Sequence, residues 1–454
     1  MPIISINPTT GNAMQAYDEM TPGQVASAIE DAADAWQDWR TTAFGERAKL
    51  LRLTAGMLRE RKDELARLMA LEMGKPVKQG VAEAEKCAWV CEYYAENGER
   101  HLAPDAIPTD ARRSYVAFQP LGVVLAVMPW NFPLWQVYRF AAPALMAGNA
   151  GLLKHASNVP GCALVIEEIF RRAGAPEGLF RTLLVGSEQV KSVIGHPLVR
   201  AVTLTGSTPA GRAVASQAGA VLKKTVLELG GSDPYLVLDD ADLEHAVMTC
   251  VNSRLINSGQ SCIAAKRFIV TQPVLAEFTE RFIALMQARR MGDPLDPASD
   301  LGPQARADLR DGLHQQVMTS VERGATLALG GQVPHGAGAF YPPSVLTNVT
   351  PGMPAFDEEL FGPVAAIIGA DDDADAIRLA NHSVFGLGAA VFTRDTVRGE
   401  RVALALEAGA TFVNGLVASD PRLPFGGIKE SGYGRELGSY GIREFVNIKT
   451  VVIA

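Results

Sequence analysis

Gly122-Val123-Val124-Leu125-Ala126-Val127-Met128-Pro129-Trp130-Asn131-Phe132-Pro133 passes from an apolar, valine-rich run into a loop pinned by two prolines. The run has the length and residue types of a buried strand, and the prolines end it. Working outward as far as Val237, further short β-rich runs at 152–154, 182–185, 201–205 and 235–238 alternate with helical segments. Such alternation predicts a parallel sheet of α/β type, with any ligand held in loops at the carboxyl ends of its strands.

Upstream, apolar residues at three- and four-residue spacings from Val25 to Gly98 predict two or three long helices. Residues 114–118, Ser-Tyr-Val-Ala-Phe, alternate as a strand outside that helical block. Downstream, residues 242–422 read as a second α/β region with strands at 267–270, 365–368 and 389–392. The β-branched tail, 445–454, reads as an exposed strand in need of a neighbour, which another subunit would supply.

A chain of 454 residues, 48% hydrophobic and 20% charged, exceeds what one core usually supports, so two or more domains are expected. A net charge of -8 offers no basic face to phosphate polyanions, which argues against nucleic acid and for a small-molecule partner. The start, Met1-Pro2-Ile3-Ile4-Ser5-Ile6-Asn7-Pro8, has no signal-peptide pattern, and apolar runs such as 121–128 fall short of the roughly 20 residues that cross a bilayer. No membrane association is expected. Cys87, Cys91, Cys162, Cys250 and Cys262 form neither an even disulfide framework nor a Cys-x-x-Cys metal pattern, so the reading is a cytoplasmic protein without a metal.

Three segments carry chemistry. In Asn257-Ser258-Gly259-Gln260-Ser261-Cys262, small residues bring a cysteine out of a helical stretch just before a strand. Val226-Leu227-Glu228-Leu229-Gly230-Gly231 ends a strand in a carboxylate that can serve as a base, followed by a glycine pair that permits close backbone approach to a ligand. Asn131, in the proline-pinned loop, either caps the following helix or offers its amide N–H to an oxyanion.

Read together with Lys154, Gly206-Ser207-Thr208, Glu359-Leu360-Phe361-Gly362-Pro363 and Pro424-Phe425-Gly426-Gly427, these segments resemble the aldehyde dehydrogenase superfamily over nearly the whole chain. The resemblance implies an aldehyde dehydrogenase-like α/β fold. An atypical Rossmann cofactor domain would span 1–112 and 126–229, a catalytic domain 230–442, and small β oligomerisation segments 113–125 and 443–454. It implies a homodimer or homotetramer. It also implies that Cys262 is the nucleophile, Glu228 the base for hydrolysis, and Asn131 with the Cys262 backbone N–H the oxyanion donors. Lys154 would hold the adenosine end of the cofactor, Gly206 and Ser207 the pyrophosphate, Glu359 and Phe361 the nicotinamide ribose, with Trp130 and Leu229 lining the nicotinamide. No Gly-x-Gly-x-x-Gly follows a predicted strand, and Gly206 and Gly211 are spaced differently, so the usual dinucleotide fingerprint does not find this site.

Ser157 stands three residues after Lys154, where members that prefer NAD often carry a glutamate; without that charge a 2′-phosphate is tolerated, so NADP is expected to be preferred over NAD. Residues 416–425 and the short chain resemble the bacterial succinate-semialdehyde dehydrogenase branch. That narrower resemblance implies Arg139 as the cation for a far carboxylate, with Trp135, Ser261 and Ser419 around the substrate. Some members of the branch carry a second arginine six residues before the nucleophile, and here Ile256 stands there. The alternatives are another small aldehyde, such as glutarate semialdehyde or a medium-chain aliphatic, and a non-catalytic binding protein.

Overall fold

The computed structural model describes residues 2–454. The helical N-terminal block forms four helices, Pro22–Trp39, Phe44–Glu60, Lys62–Met73 and Val77–His101, rather than two or three. Residue spacing continues across the breaks, which lie in the backbone: Arg61 leaves helical geometry, and Gly74 closes its helix at φ 78°. Thr21 starts the first helix with a capping box, exchanging hydrogen bonds with Gln24. Residues Ile3–Ile6 and Ala13–Tyr17 form a hairpin that the sequence reading did not include.

The first large sheet contains Val123–Met128, Ala150–His155, Phe180–Thr182, Val199–Thr205 and Lys224–Glu228 in parallel. The chain starts at Val123–Met128, adds two strands on one side, then crosses to add Val199–Thr205 and Lys224–Glu228 on the other. Val123–Met128 and Val199–Thr205 therefore flank the switch in strand order, where open α/β sheets form a ligand crevice. The sixth strand, Gly432–Tyr433, arrives from late in the chain and runs antiparallel to Lys224–Glu228.

The second sheet has seven strands, including Pro234–Val237, Arg267–Thr271, Val364–Ala370 and Gly388–Phe392. Its apolar residues form one buried cluster on each face. Strands buried on both faces carry near-continuous apolar runs, which is why the sequence reading found them.

Two expectations change. Val123–Met128 is a central strand of the first sheet, so a segment boundary at 125/126 cuts through it; the outer strand is Arg113–Pro120, and the turn at Leu121 and Gly122 separates the two. The tail strand Val446–Ile453 finds its neighbour within the chain, pairing antiparallel along Arg113–Pro120 from Val446↔Pro120 to Ile453↔Arg113. Its other edge is unpaired, with Ile448, Val452 and Ile453 exposed.

Candidate active site

The loops at the carboxyl ends of the first sheet converge on the Cys262 loop. After Met128, residues 129–134 lead into the helix Trp135–Ala147, which has no side-chain cap of its own. Glu83, from the helix Val77–His101, takes that part: its Oε1 accepts the backbone N–H groups of Leu134 and Trp135, both at 2.9 Å. A carboxylate there satisfies two otherwise unpaired donors and complements the helix dipole. Buried Lys75 pairs with Glu83, and its ammonium lies 3.8 Å from the Phe132 ring centroid.

Asn131 is thereby released from capping, one of its two possible roles. Its Oδ1 accepts from Gln136 Nε2 at 3.0 Å and its Nδ2 donates to the Gln260 carbonyl at 3.1 Å, which ties the proline-pinned loop to the cysteine loop. The second N–H of that amide remains to serve a ligand.

The cysteine loop is held in an unusual shape. Asn257 and Ser258 adopt φ of 53° and 56° and are fully buried, a geometry that non-glycine residues keep only where their surroundings enforce it. Asn257 Nδ2 donates to the Asn131 carbonyl at 2.6 Å, and Gln79 Oε1 accepts Asn257 N–H at 2.7 Å. Gly259 has φ 78°, and a Cβ there would collide with the Gly362 and Pro363 backbone, so only glycine fits. Buried Lys266 donates to the carbonyls of Ser261, Cys262 and Ala264 at 3.0, 2.9 and 3.1 Å, gathering the turn around the cysteine.

Cys262 stands where two cavities meet. On the side of the first sheet, about 250 Å³ is lined by Trp130, Asn131, Gly206, Ser207, Leu229, Glu359 and Phe361 among others. On the opposite side, about 300 Å³ is lined by Trp135, Arg139, Ser261, Ser419, Ile256 and Lys86 among others. Burial pushes the Cys262 thiol up to about 12, against the pull of the Arg139 and Lys266 charges. The sulfur therefore rests as a thiol in the free enzyme at neutral pH.

The Gly230–Gly231 pair makes close approaches within the protein, and Gly230 also lines the 250 Å³ cavity. A Cβ on Gly230 would lie 2.5 Å from Glu359 Oε2, and one on Gly231 would lie 2.7 Å from the Cys262 carbonyl. Gly231 N–H donates to Glu359 Oε1 at 3.1 Å, and Lys266 Nζ is 3.5 Å from the same oxygen. Burial raises the Glu359 carboxyl above its usual range, with Lys266 opposing. Trp130 and Phe361 meet edge-to-face at 5.7 Å on the wall of this cavity.

These residues fit a dinucleotide. Ser207 precedes the helix Thr208–Ala220 without using its hydroxyl as a cap, so the hydroxyl and the first-turn N–H groups are available to an anion. Beyond Gly206 there is open space, since a Cβ there would touch only Leu204, at 3.6 Å. Lys154 and Ser157 lie at the carboxyl end of Ala150–His155, on the far side of Val123–Met128 from Gly206. Ser157 lies on a third cavity of about 690 Å³, together with Asn158, Gly186 and Glu188. Neither side-chain polar atom of buried Asn158 has a partner. Burial lowers the Lys154 ammonium, and Glu188 partly restores it.

With this arrangement in view, comparison with known proteins gives one answer: the aldehyde dehydrogenase family model matches residues 2–451. The chain belongs to the aldehyde dehydrogenase family. A probable succinate-semialdehyde dehydrogenase [NADP(+)] of Synechocystis is 51% identical over 454 residues, covering 100% of both chains. The succinate-semialdehyde dehydrogenase [NADP(+)] of Mycobacterium avium is 51% identical over 100% of this chain and 97% of its own. The crystal structure of the Streptococcus pyogenes succinic semialdehyde dehydrogenase with NADP+ superposes at TM-score 0.97, with 37% identity and 99% of each chain covered.

Two residues of this aldehyde dehydrogenase sit differently from the simplest expectation. Glu228 is 2% exposed, lines neither cavity at Cys262, and has no hydrogen-bond partner on either carboxyl oxygen. Burial raises it well above the usual carboxyl range, reinforced by Glu436 and opposed by Arg139. Arg139 reaches the 300 Å³ cavity but is 2% exposed and already ion-paired with Glu436. Its Nη2 donates to Thr205 Oγ1 at 3.2 Å, and its guanidinium lies 4.7 Å from the Phe425 ring centroid.

Sequence reasoning missed Glu83, Gln136, Gln260, Lys266, Glu436 and Lys86. The stripe Gln79, Ala82, Glu83, Lys86 at helical spacing was a usable signal, because a polar stripe on a helix between two apolar faces needs a polar neighbour.

Proposed function

We propose that this enzyme oxidises succinate semialdehyde to succinate, with NADP+ preferred over NAD+, as a cytoplasmic homodimer or homotetramer. The observation that carries the substrate is the 300 Å³ cavity ending on Cys262: apolar walls hold two cations, Arg139 and Lys86, which suit an aldehyde with a carboxylate at its far end. The names of the Synechocystis and Mycobacterium avium relatives support the same substrate and cofactor. For the assembly, the unpaired edge of Val446–Ile453 with its exposed apolar residues offers the surface. Five free cysteines suit a reducing compartment.

In this reading the Cys262 thiol gives its proton to water in the cavity and its sulfur bonds to the aldehyde carbon. The resulting oxyanion is held by the remaining Asn131 amide N–H and the Cys262 backbone N–H. Trp130, Leu229, Glu359 and Phe361 would hold the nicotinamide in the cofactor-side cavity, and it would supply the acceptor for the hydride that leaves as the carbonyl re-forms. A thioester to Cys262 remains. Glu228 rotates out of its partnerless pocket, takes a proton from water, and the hydroxide displaces the thiolate to give the acid. Ser157 and Lys154 receive the adenosine end, where a serine in place of a carboxylate tolerates a 2′-phosphate.

The test compares succinate semialdehyde with butanal, using NADP+ and then NAD+, and identifies the acid formed. A charge-assisted contact predicts a kcat/KM advantage for the semialdehyde of about 10- to 100-fold. Equal values for the two aldehydes would remove the substrate assignment.

A further inference from the structure

Lys86 is the uncommitted cation of the substrate cavity. It projects from the helix Val77–His101, about two turns of which also bring Gln79, Ala82 and Glu83 to the same cavity wall. Its ammonium donates to Ser419 Oγ at 2.8 Å and lies 4.4 Å from the Trp135 ring centroid. No carboxylate pairs with it among the described residues. A half-buried ammonium with only a hydroxyl and an aromatic face beside it has donors to spare and a charge left uncompensated, a costly state that an arriving anion relieves.

Arg139, on the facing helix, is in the opposite condition. Glu436 neutralises it, Thr205 accepts from it, and Phe425 covers its plane. Ile256 on the same wall adds no charge.

We propose that Lys86, assisted by Ser419, receives the far carboxylate of the substrate, and that Arg139 acts behind it as a fixed, ion-paired part of the wall. This rests on the reading that the substrate carries such a carboxylate. Trp135 and the Lys86 stem form the apolar sleeve for the carbon chain, while the ammonium and the Ser419 hydroxyl close its end. Because specificity comes from a charge contact, an uncharged aldehyde of equal length loses it and leaves the ammonium buried without an anion.

The surroundings make the contact sensitive to pH. Burial, with the Arg139 charge adding to it, lowers the Lys86 ammonium to about 8; Cys87 and Glu83 on its own helix and Asp420 on the loop beyond Ser419 act the other way. The cation is present below that pH and is lost above it, so KM for the semialdehyde rises on the alkaline side.

The experiment measures kcat/KM for succinate semialdehyde and for butanal, from pH 6 to 10, in the wild type, Lys86→Met, Lys86→Arg and Ser419→Ala. Methionine keeps the apolar stem and removes the charge. The expected result is a fall of about 10- to 100-fold in the semialdehyde-to-butanal ratio for Lys86→Met, expressed mainly in KM. Lys86→Arg should keep most of the ratio, and Ser419→Ala should lose less than Lys86→Met. In the wild type, KM for the semialdehyde alone should climb above roughly pH 8, in keeping with loss of a charged contact. That limb needs no variant, so the proposal stays testable if Lys86→Met folds poorly. A ratio unchanged in Lys86→Met, or a semialdehyde KM flat across the range, overturns the assignment of Lys86 while a wild-type preference for the semialdehyde leaves the substrate reading standing. A wild type without that preference overturns both.

Discussion

The two cavities that meet at Cys262 are built in different ways. The cofactor side is assembled from loops at strand ends: Trp130 and Asn131 after one strand, Gly206 and Ser207 after its neighbour, Leu229 and Gly230 after the next. The substrate side is assembled from helix faces and a long return loop, with Lys86 from one helix, Trp135 and Arg139 from another, and Ser419 and Phe425 from far along the chain. Strand-end loops inherit their positions from the sheet, so one side is set by topology. Helix faces inherit theirs from packing, so the other can change its chemistry by exchanging single side chains.

Replacing Cys262 by alanine breaks the comparison outright, because the residue belongs to both cavities. Turnover of every aldehyde should fall by at least about 10⁴-fold, with either cofactor, as measured by steady-state formation of the reduced cofactor. Residual turnover on one aldehyde but not another would mean that the two sides do not share a nucleophile.

Glu228→Gln should divide the reaction in time. A first equivalent of reduced cofactor appears in a rapid burst, and the steady rate then drops by about 10²- to 10⁴-fold as the thioester waits for water. Since burial raises the Glu228 carboxyl, it is protonated at low pH and becomes a base only as pH rises. The wild-type deacylation rate should therefore increase with pH, and that rise should vanish in the variant. Loss of the burst itself would place Glu228 before hydride transfer.

Asn131→Ala should cost about 10²- to 10³-fold in kcat for charged and uncharged aldehydes alike, since an oxyanion donor serves the reacting carbon whatever lies at the far end of the substrate. A loss confined to KM would assign Asn131 to holding the loop through Gln260 and Gln136. Ser157→Glu sharpens the contrast on the cofactor side alone. The NADP+ to NAD+ ratio of kcat/KM should fall by about 10- to 100-fold through like-charge repulsion, with the KM for the aldehyde left where it was. A preference for NAD+ in the wild type that survives this change would remove the assignment of Ser157.

The division between legible and illegible follows the same line. The apolar runs 123–127, 201–205 and 267–270 announced their strands, and the strand-end motifs announced residues that line one common cavity, because both are encoded in neighbouring residues. Glu83 showed only as one member of a helical stripe: its work is to cap a helix whose first residue lies 52 positions later, and nothing in its own neighbourhood names that partner. Glu436 pairs with Arg139 from far along the chain, a partner that the residues around Arg139 do not announce.

The sequence alone determined the family, the cysteine segment 257–262 and the alternation behind the two large sheets, since each is a local pattern of residue type and spacing. Only the tertiary structure decided which of two cations is left without a carboxylate, that Asn131 is spared from capping its helix, and that the tail strand pairs within its own chain. Those outcomes depend on which distant groups share a low-dielectric interior, where each charge and each N–H must find a partner, and no local pattern records that competition.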